Sequence, residues 1–426
     1  MREFSNLSVL ETNNFNGSRF KTIVESSKDK HDEFIQPSGK EKIYENLKED
    51  FYPEEPIHFG KDFYLKSCHP DPEKNAEKIE PESYCIFLNS KVNQDQGMVV
   101  LSKPSNFIKT LETIDLIEDS ERNGNDLSSA MKVVKMPMKG GMGALSLNRL
   151  DSGQELLDYR ANVLISVEQD ILNRSDIKFL RKLAIMNLPP STQQSFLNLH
   201  GNLNWLEDQI SSIIDLNSFE IKLGKDFELP FFAVMISPSR LNHDCRPNLA
   251  FFIENKTLKV HMRALRVISP GEELTISYRD TGIIREERQD ELLKDYGFEC
   301  KCAQCQMSKE NQEESDRRIQ AIEDLHQQLS ENWYSENNDE DLRDQAEELI
   351  ELYSLENLLS SSAEPHTLAS LIYNSYGQTS KSKAHASKSI SIGLTTSGPN
   401  WEDRKELLKL IEDPQSHWSH GIRLRS

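Results

Sequence analysis

The stretch "FECKCAQC", which sets Cys300, Cys302 and Cys305 in a CxCxxC array, constrains this chain more than any other feature. Three thiols this close rarely form disulfides in a reducing compartment, and tetrahedral Zn2+ or an iron–sulfur cluster needs a fourth ligand. Buried free thiols are the plain alternative, but CxC joined to CxxC is a metal-type spacing. The remaining cysteines are Cys68, Cys85 and Cys245. Cys245 is favoured as the fourth ligand: it sits in the polar, turn-forming "SRLNHDCRPN" and would tie the later cluster back onto the core, fixing a segment with too few apolar residues to dock alone. His243, two residues earlier, competes for that place.

A chain of 426 residues has room for two or three domains and a sizeable core. Its formal net charge of -20 argues against general nucleic-acid binding, which needs clustered Lys and Arg, and favours a basic or neutral partner. No run of about 18 apolar residues suggests a membrane span. The opening "MREFSNLSVLETNNFNGS" has no apolar h-region, so the expected compartment is cytosolic or nuclear. Six cysteines in so long a chain are not a disulfide scaffold.

The patterning changes along the chain. Residues 1–62 are expected to be a loosely ordered acidic lead, with a short helix near 42–49. In 63–130, "SYCIFLNSKV" and "GMVVLSKP" read as a β-hairpin across "NQDQ", followed by the loop "IEDSERNGNDLSSA". A further β-rich run, "MKVVKM", leads into "KGGMGALSLNRLDSGQ", punctuated as small sheets are. A helical insert is expected over about 168–215, where Phe179, Leu180, Leu183 and Ala184 recur at helical spacing until Pro189 and Pro190 stop the pattern. β character returns in "FFAVMISP", "LAFFIENKTLKVHMRALRVI" and "LTISYRD", and "REERQDELLKDYGF" is a helix running into the cysteines. Beyond 306 the chain reads as helical, with Leu368, Leu371, Ile372 and Tyr376 on one face and room for two or three hairpins of about 34 residues.

"NHDCRPN", then "RALRVISPGEELTISY", then "YGFECKCAQC", with "KGGMG" upstream, resemble in order the SET domain of protein lysine methyltransferases and its cysteine-bearing post-SET segment. The closer likeness is to fungal SET-domain proteins and the MYND-type SET subfamily, whose core precedes a tetratricopeptide-like helical domain. The resemblance implies an α+β fold: a SET-type β-fold of small sheets with a helical insert, then an α-helical C-terminal domain. Its divisions would be a SET core at 131–280, a post-SET zinc segment at 281–306 and a helical domain at 307–426. Neither a MYND finger nor a cysteine-rich pre-SET cluster is visible, so substrate identity cannot be borrowed from those groups.

The implied chemistry is methyl transfer from S-adenosylmethionine to a lysine amine of a protein. That amine, with an unperturbed pKa near 10.4, must shed a proton and be held in line. By resemblance, Tyr278 is the catalytic tyrosine that orients it; taken alone, it reads better as a strand-end tyrosine with a satisfied hydroxyl. The resemblance assigns Gly141, Met142, Gly143, Asn242, His243, Tyr278 and Phe298 to the cofactor. Without it, Asn242–His243 is a turn, the glycines a β-turn and Phe298 a core residue. Zn2+ on Cys245, Cys300, Cys302 and Cys305 would hold the segment that closes the cofactor site. Cys68 and Cys85 resemble a cysteine pair found ahead of the SET core in secreted fungal relatives, where a disulfide is plausible, and secretion is the alternative if a signal precedes this start; free thiols are the expectation here.

The expected partner is a Lys-rich protein such as a histone or ribosomal protein, with no direct nucleic-acid or membrane contact. A catalytically weak SET protein binding partners through its helices is the alternative reading, and a zinc-stabilised structural protein is a third. Substrate lysine, methylation degree and oligomeric state are not legible.

Overall fold

A computed structural model describes residues 57–69, 83–116, 130–139, 141–167, 174–201, 206–225, 228–334 and 341–424. The helix expected near 42–49 and the loop at 117–129 lie outside them. The fold is α+β, with three sheets and ten α-helices among the described residues. The acidic lead was expected to reach residue 62; instead a first strand, β1 (Ile57–Gly60), already pairs with β2 (Phe63–His69). "IHFG" is too short and too polar for its alternation to register.

β3 (Tyr84–Asn89) and β4 (Met98–Ser102) form the expected antiparallel hairpin. They stand at the centre of a seven-stranded sheet with β8 (Val163–Ser166), β9 (Ser218–Leu223) and β10 (Leu229–Val234), in the order β1-β2-β3-β4-β8-β10-β9. Both faces of its middle strands are covered, so "YCIFLN", "MVVLS" and "VLIS" are wholly buried instead of alternating. Phe87, Val100 and Leu164 face one core, around Phe63 and Phe107; Phe107 lies on α1 (Pro104–Thr113). Ile86, Val99, Leu101 and Ile165 face the other, against Leu180, Ala184 and Ile213.

Those last residues lie on the insert, α2 (Arg174–Met186), α3 (Pro190–Leu197) and α4 (Leu206–Asn217). Pro189 and Pro190 were expected only to stop a helix; Pro190 also starts α3, because a first-turn residue needs no amide donor.

A four-stranded sheet runs β11-β14-β6-β5, from β5 (Met131–Met136), β6 (Gly141–Ser146), β11 (Asn242–His243) and β14 (Glu273–Ile276). A three-stranded one runs β12-β13-β7, from β7 (Glu155–Arg160), β12 (Leu249–Glu254) and β13 (Lys259–Ala264). α5 (Arg285–Tyr296) follows, with Glu286 and Glu287 in its first turn, where the helix dipole favours acids. It ends at Gly297, whose φ of 74° is the left-handed cap conformation that a side chain disfavours, and the chain turns into the cysteines.

α6 (Lys309–Asn332), α7 (Arg343–Leu355), α8 (Ala363–Ser375), α9 (Thr379–Thr396) and α10 (Arg404–Glu412) pack in succession about Leu329, Leu349, Leu368, Ile372 and Leu407. Arg263 of β13 donates to the Leu394 carbonyl at 2.6 Å, docking α9 on the three-stranded sheet. Among the described residues, no helix is long and apolar enough to cross a membrane.

One cysteine expectation is corrected. Cys68 and Cys85, taken as free thiols, form a disulfide. They stand directly opposite each other in the β2–β3 ladder, 4.0 Å apart at Cα, a pairing that requires knowledge of strand register.

Candidate active site and metal centre

Cys245 follows β11, and Cys300, Cys302 and Cys305 follow the Gly297 turn. All four are buried, and their sulfurs lie within 4.8 Å of one another. Cys245 Sγ is 3.9 Å from that of Cys300 and 3.5 Å from that of Cys305. Four sulfurs around a tetrahedral zinc at about 2.3 Å would be about 3.8 Å apart, so the quartet fits that ion. Hydrogen bonds from Cys245 and Cys300 hold Cys302 and Cys305 below the usual thiol range, while contacts with the other three push Cys300 up. A cation at the centre would favour thiolate on all four.

His243, the rival ligand, stands beside the quartet and not in it. Its Nδ1 accepts the backbone N–H of Tyr278 at 3.0 Å, which leaves Nε2 as the protonated nitrogen, 3.3 Å from Cys245 Sγ. Burial lowers its pKa to about 3, so the ring stays neutral. One imidazole therefore bridges the four cysteines to the backbone of Tyr278. Arg288 of α5 is almost fully buried nearby; burial works against its charge, but the sulfurs of Cys245 and Cys305 more than compensate and raise its pKa.

Tyr278 ends the strand run after β14, with its ring buried and its hydroxyl donating to the Leu241 carbonyl at 2.6 Å. Tyr296 lies 5.0 Å from its ring, His243 5.4 Å and Phe298 6.5 Å. Arg279, paired with Asp295, packs 5.4 Å over the Tyr296 ring.

The glycines open β6 as the second arm of a hairpin, Val134 opposite Gly143 and Met136 opposite Gly141. A Cβ on Gly143 would come within 2.5 Å of Asn242 Nδ2 and 2.8 Å of Met136 Cγ, so that glycine is what lets Asn242 sit against the hairpin. A Cβ on Gly141 would meet nothing, and Met142 is exposed. Asn242 donates to Glu273 at 3.0 Å, and Lys139 pairs with the same carboxylate at 2.8 Å.

The structure thus gathers Asn242, His243, Tyr278, Phe298 and the four cysteines, with Gly143 behind Asn242. Sequence reasoning missed Tyr296, Glu273, Lys139 and Leu241. Tyr296 could have been found two residues before Phe298; the Leu241 carbonyl leaves no side-chain signal. Two cavities lie elsewhere. One of about 510 Å3 is lined by Met131, Val133, Leu147, Ile236 and Arg240, and one of about 360 Å3 by Asp244, Arg246, Arg266, Gln304 and Asn357. Neither is lined by Tyr278 or Asn242.

Residues 141–279, which hold the glycines, Asn242 and Tyr278, match the SET domain family. The chain carries a SET domain, and its relatives connect it to the SET-and-MYND lysine methyltransferases. Histone-lysine N-methyltransferase SMYD1 of Homo sapiens is 30% identical over 129 residues, 28% of this chain and 25% of that one. Histone-lysine N-methyltransferase SMYD3 of Mus musculus is 46% identical over 70 residues, 16% of each chain. The chain spans a quarter or less of the length of these relatives. A solved methyltransferase domain of human Histone-lysine N-methyltransferase SETMAR aligns over 35% of this chain and 44% of that one, at 19% identity and a TM-score of 0.21, too loosely to argue from.

Proposed function

We propose that this protein is an S-adenosylmethionine-dependent protein-lysine N-methyltransferase. The observation that carries this reading is the convergence of Tyr278, Asn242 and Phe298 about His243, whose ring also touches the cysteine quartet. S-adenosylmethionine, when bound, supplies the methyl group. Asn242, its amide steadied by Glu273, and the backbone of His243 would hold the amino-acid and adenine ends, with Phe298 packing on the adenine and Gly141 to Gly143 giving close backbone approach. Zn2+ on Cys245, Cys300, Cys302 and Cys305 would keep Phe298 in place.

Tyr278 spends its proton on the Leu241 carbonyl, so its oxygen presents acceptor capacity to an incoming amine N–H. That fixes the direction of the amine lone pair, and apolar surroundings favour the neutral amine over the ammonium. Alignment, more than strong-base catalysis, is what this tyrosine offers.

The substrate we propose is a Lys-rich protein. The net charge of -20 favours such a partner, and the relatives are named for histone lysines. The C-terminal helices serve as a tetratricopeptide-like arm for that encounter.

The test is transfer of labelled methyl from S-adenosylmethionine to histones and cell-extract proteins, with Tyr278→Phe as partner. The expected result is a labelled band and a drop in kcat of about 10²-fold or more in the variant, with cofactor affinity retained. Cofactor binding without any transfer in the wild type would instead support a binding module.

A further inference from the structure

Glu356, just beyond α7, has a side chain only 1% exposed, yet four side chains from three parts of the molecule meet on its carboxylate. Arg246 Nη2 reaches Oε2 at 2.7 Å, and Arg318 Nε reaches Oε1 at 2.7 Å. Ser315 Oγ donates to Oε2 at 2.8 Å and Gln304 Nε2 at 3.2 Å. Arg318 and Ser315 belong to α6. Arg246 immediately follows Cys245, and Gln304 immediately precedes Cys305. Arg246 also donates to the carbonyls of Cys245 at 2.7 Å and Thr281 at 3.1 Å, and its Nε to that of Glu356. Two of the four metal-binding cysteines are therefore each one residue from a side chain anchored on a carboxylate of the helical region.

Burial would push Glu356 up, but hydrogen bonds from Arg246, Ser315 and Arg318 outweigh it and hold the acid below its ordinary range. The carboxylate stays charged, and Arg246 would be left as an uncompensated buried cation if that charge were removed. Loss of the pair should loosen the segments that carry Cys245 and Cys305, and through His243 the backbone of Tyr278.

We propose that Glu356 is a positioning residue through which the helical region holds the cysteine centre closed and so sets cofactor affinity. The inference rests on the metal and cofactor reading above. It gives the C-terminal helices a role inside the site, separate from any partner they bind.

The experiment uses the full chain loaded with zinc and compares Glu356→Gln, Arg246→Met and their double variant. The first readout is the rate of zinc loss to a chromogenic chelator, and the second is the dissociation constant for S-adenosylmethionine by calorimetry. Each single variant should release zinc at least about tenfold faster and bind cofactor more weakly, and the double should be no worse than the worse single, because both remove one interaction. Arg181→Met, which breaks the 2.9 Å Arg181–Asp215 pair in the insert, should leave zinc release unchanged and so separates this effect from general destabilisation.

Unchanged zinc release in folded Glu356→Gln, equal acceleration by Arg181→Met, or multiplying effects in the double overturn the proposal. If Glu356→Gln does not fold, Arg246→Met decides by the same rate. Zinc release is read without methyl transfer, so an inactive enzyme with Glu356-dependent zinc retention sinks only the catalytic reading. An active enzyme with Glu356-independent retention sinks only this one.

Discussion

The two groups of cysteines in this chain reach opposite chemical ends for reasons that lie in the backbone. Cys68 and Cys85 face each other across two paired strands, and the sheet brings their Cα atoms to 4.0 Å before any sulfur chemistry occurs. The other four come from two segments, Cys245 and Cys300 being 55 residues apart, and none lies in a regular strand or helix. A sheet can present two thiols as a covalent pair; irregular segments presenting four need something at the centre to hold them. The pair would add to an apolar core that is already complete, whereas the quartet would be the main tie of its segment.

The largest effect expected from that difference is on the quartet. Cys300→Ser, or a strong chelator, should abolish stoichiometric zinc and weaken S-adenosylmethionine binding by about 10²-fold, because folding of such a segment is linked to its metal. Metal analysis and calorimetry check both. The transition of the seven-stranded sheet, followed by urea unfolding, should survive. Cofactor affinity that withstands complete zinc removal would break the proposed link between metal and Phe298.

A smaller effect is expected at the pair. Cys68→Ser with Cys85→Ser should lower unfolding stability by about 2–4 kcal/mol, the usual worth of a bridge closing a short loop, with bound zinc and cofactor affinity unchanged. Urea denaturation and metal analysis of one preparation measure both quantities. Zinc lost in step with that stability would mean that the two cysteine groups are not independent.

What the sequence could disclose follows the same division. Cys245 was legible as the fourth member because it stands in a polar turn where a core cysteine has little reason to be. The β3–β4 hairpin was legible from "YCIFLN" and "MVVLS" around a short polar turn. The disulfide was hidden because it depends on which residues of β2 and β3 stand opposite, and "FYLKSCH" mixes buried and exposed positions irregularly. Gly141 and Gly143 looked equivalent in "KGGMG", yet only Gly143 lies against Asn242. Glu356 was out of reach: its bond to Arg246 spans 110 residues and leaves no local pattern in either segment.

The smallest predicted difference is in acid. Glu356 is held below its ordinary range, so its contribution to stability is fully present above the unfolded value, about 4.3, and is lost as pH falls through the lower folded value. The stability difference between wild type and Glu356→Gln should therefore be flat from neutral pH down to about 4.3 and shrink below it, as both chains come to carry a neutral group there. The disulfide does not titrate, so the difference between wild type and the double serine variant should stay level over the same range. Urea titrations at a series of pH values resolve the two profiles. A Glu356 difference that persisted unchanged well below its folded value would mean that packing, and not charge on the carboxylate, joins the helical region to the cysteine centre.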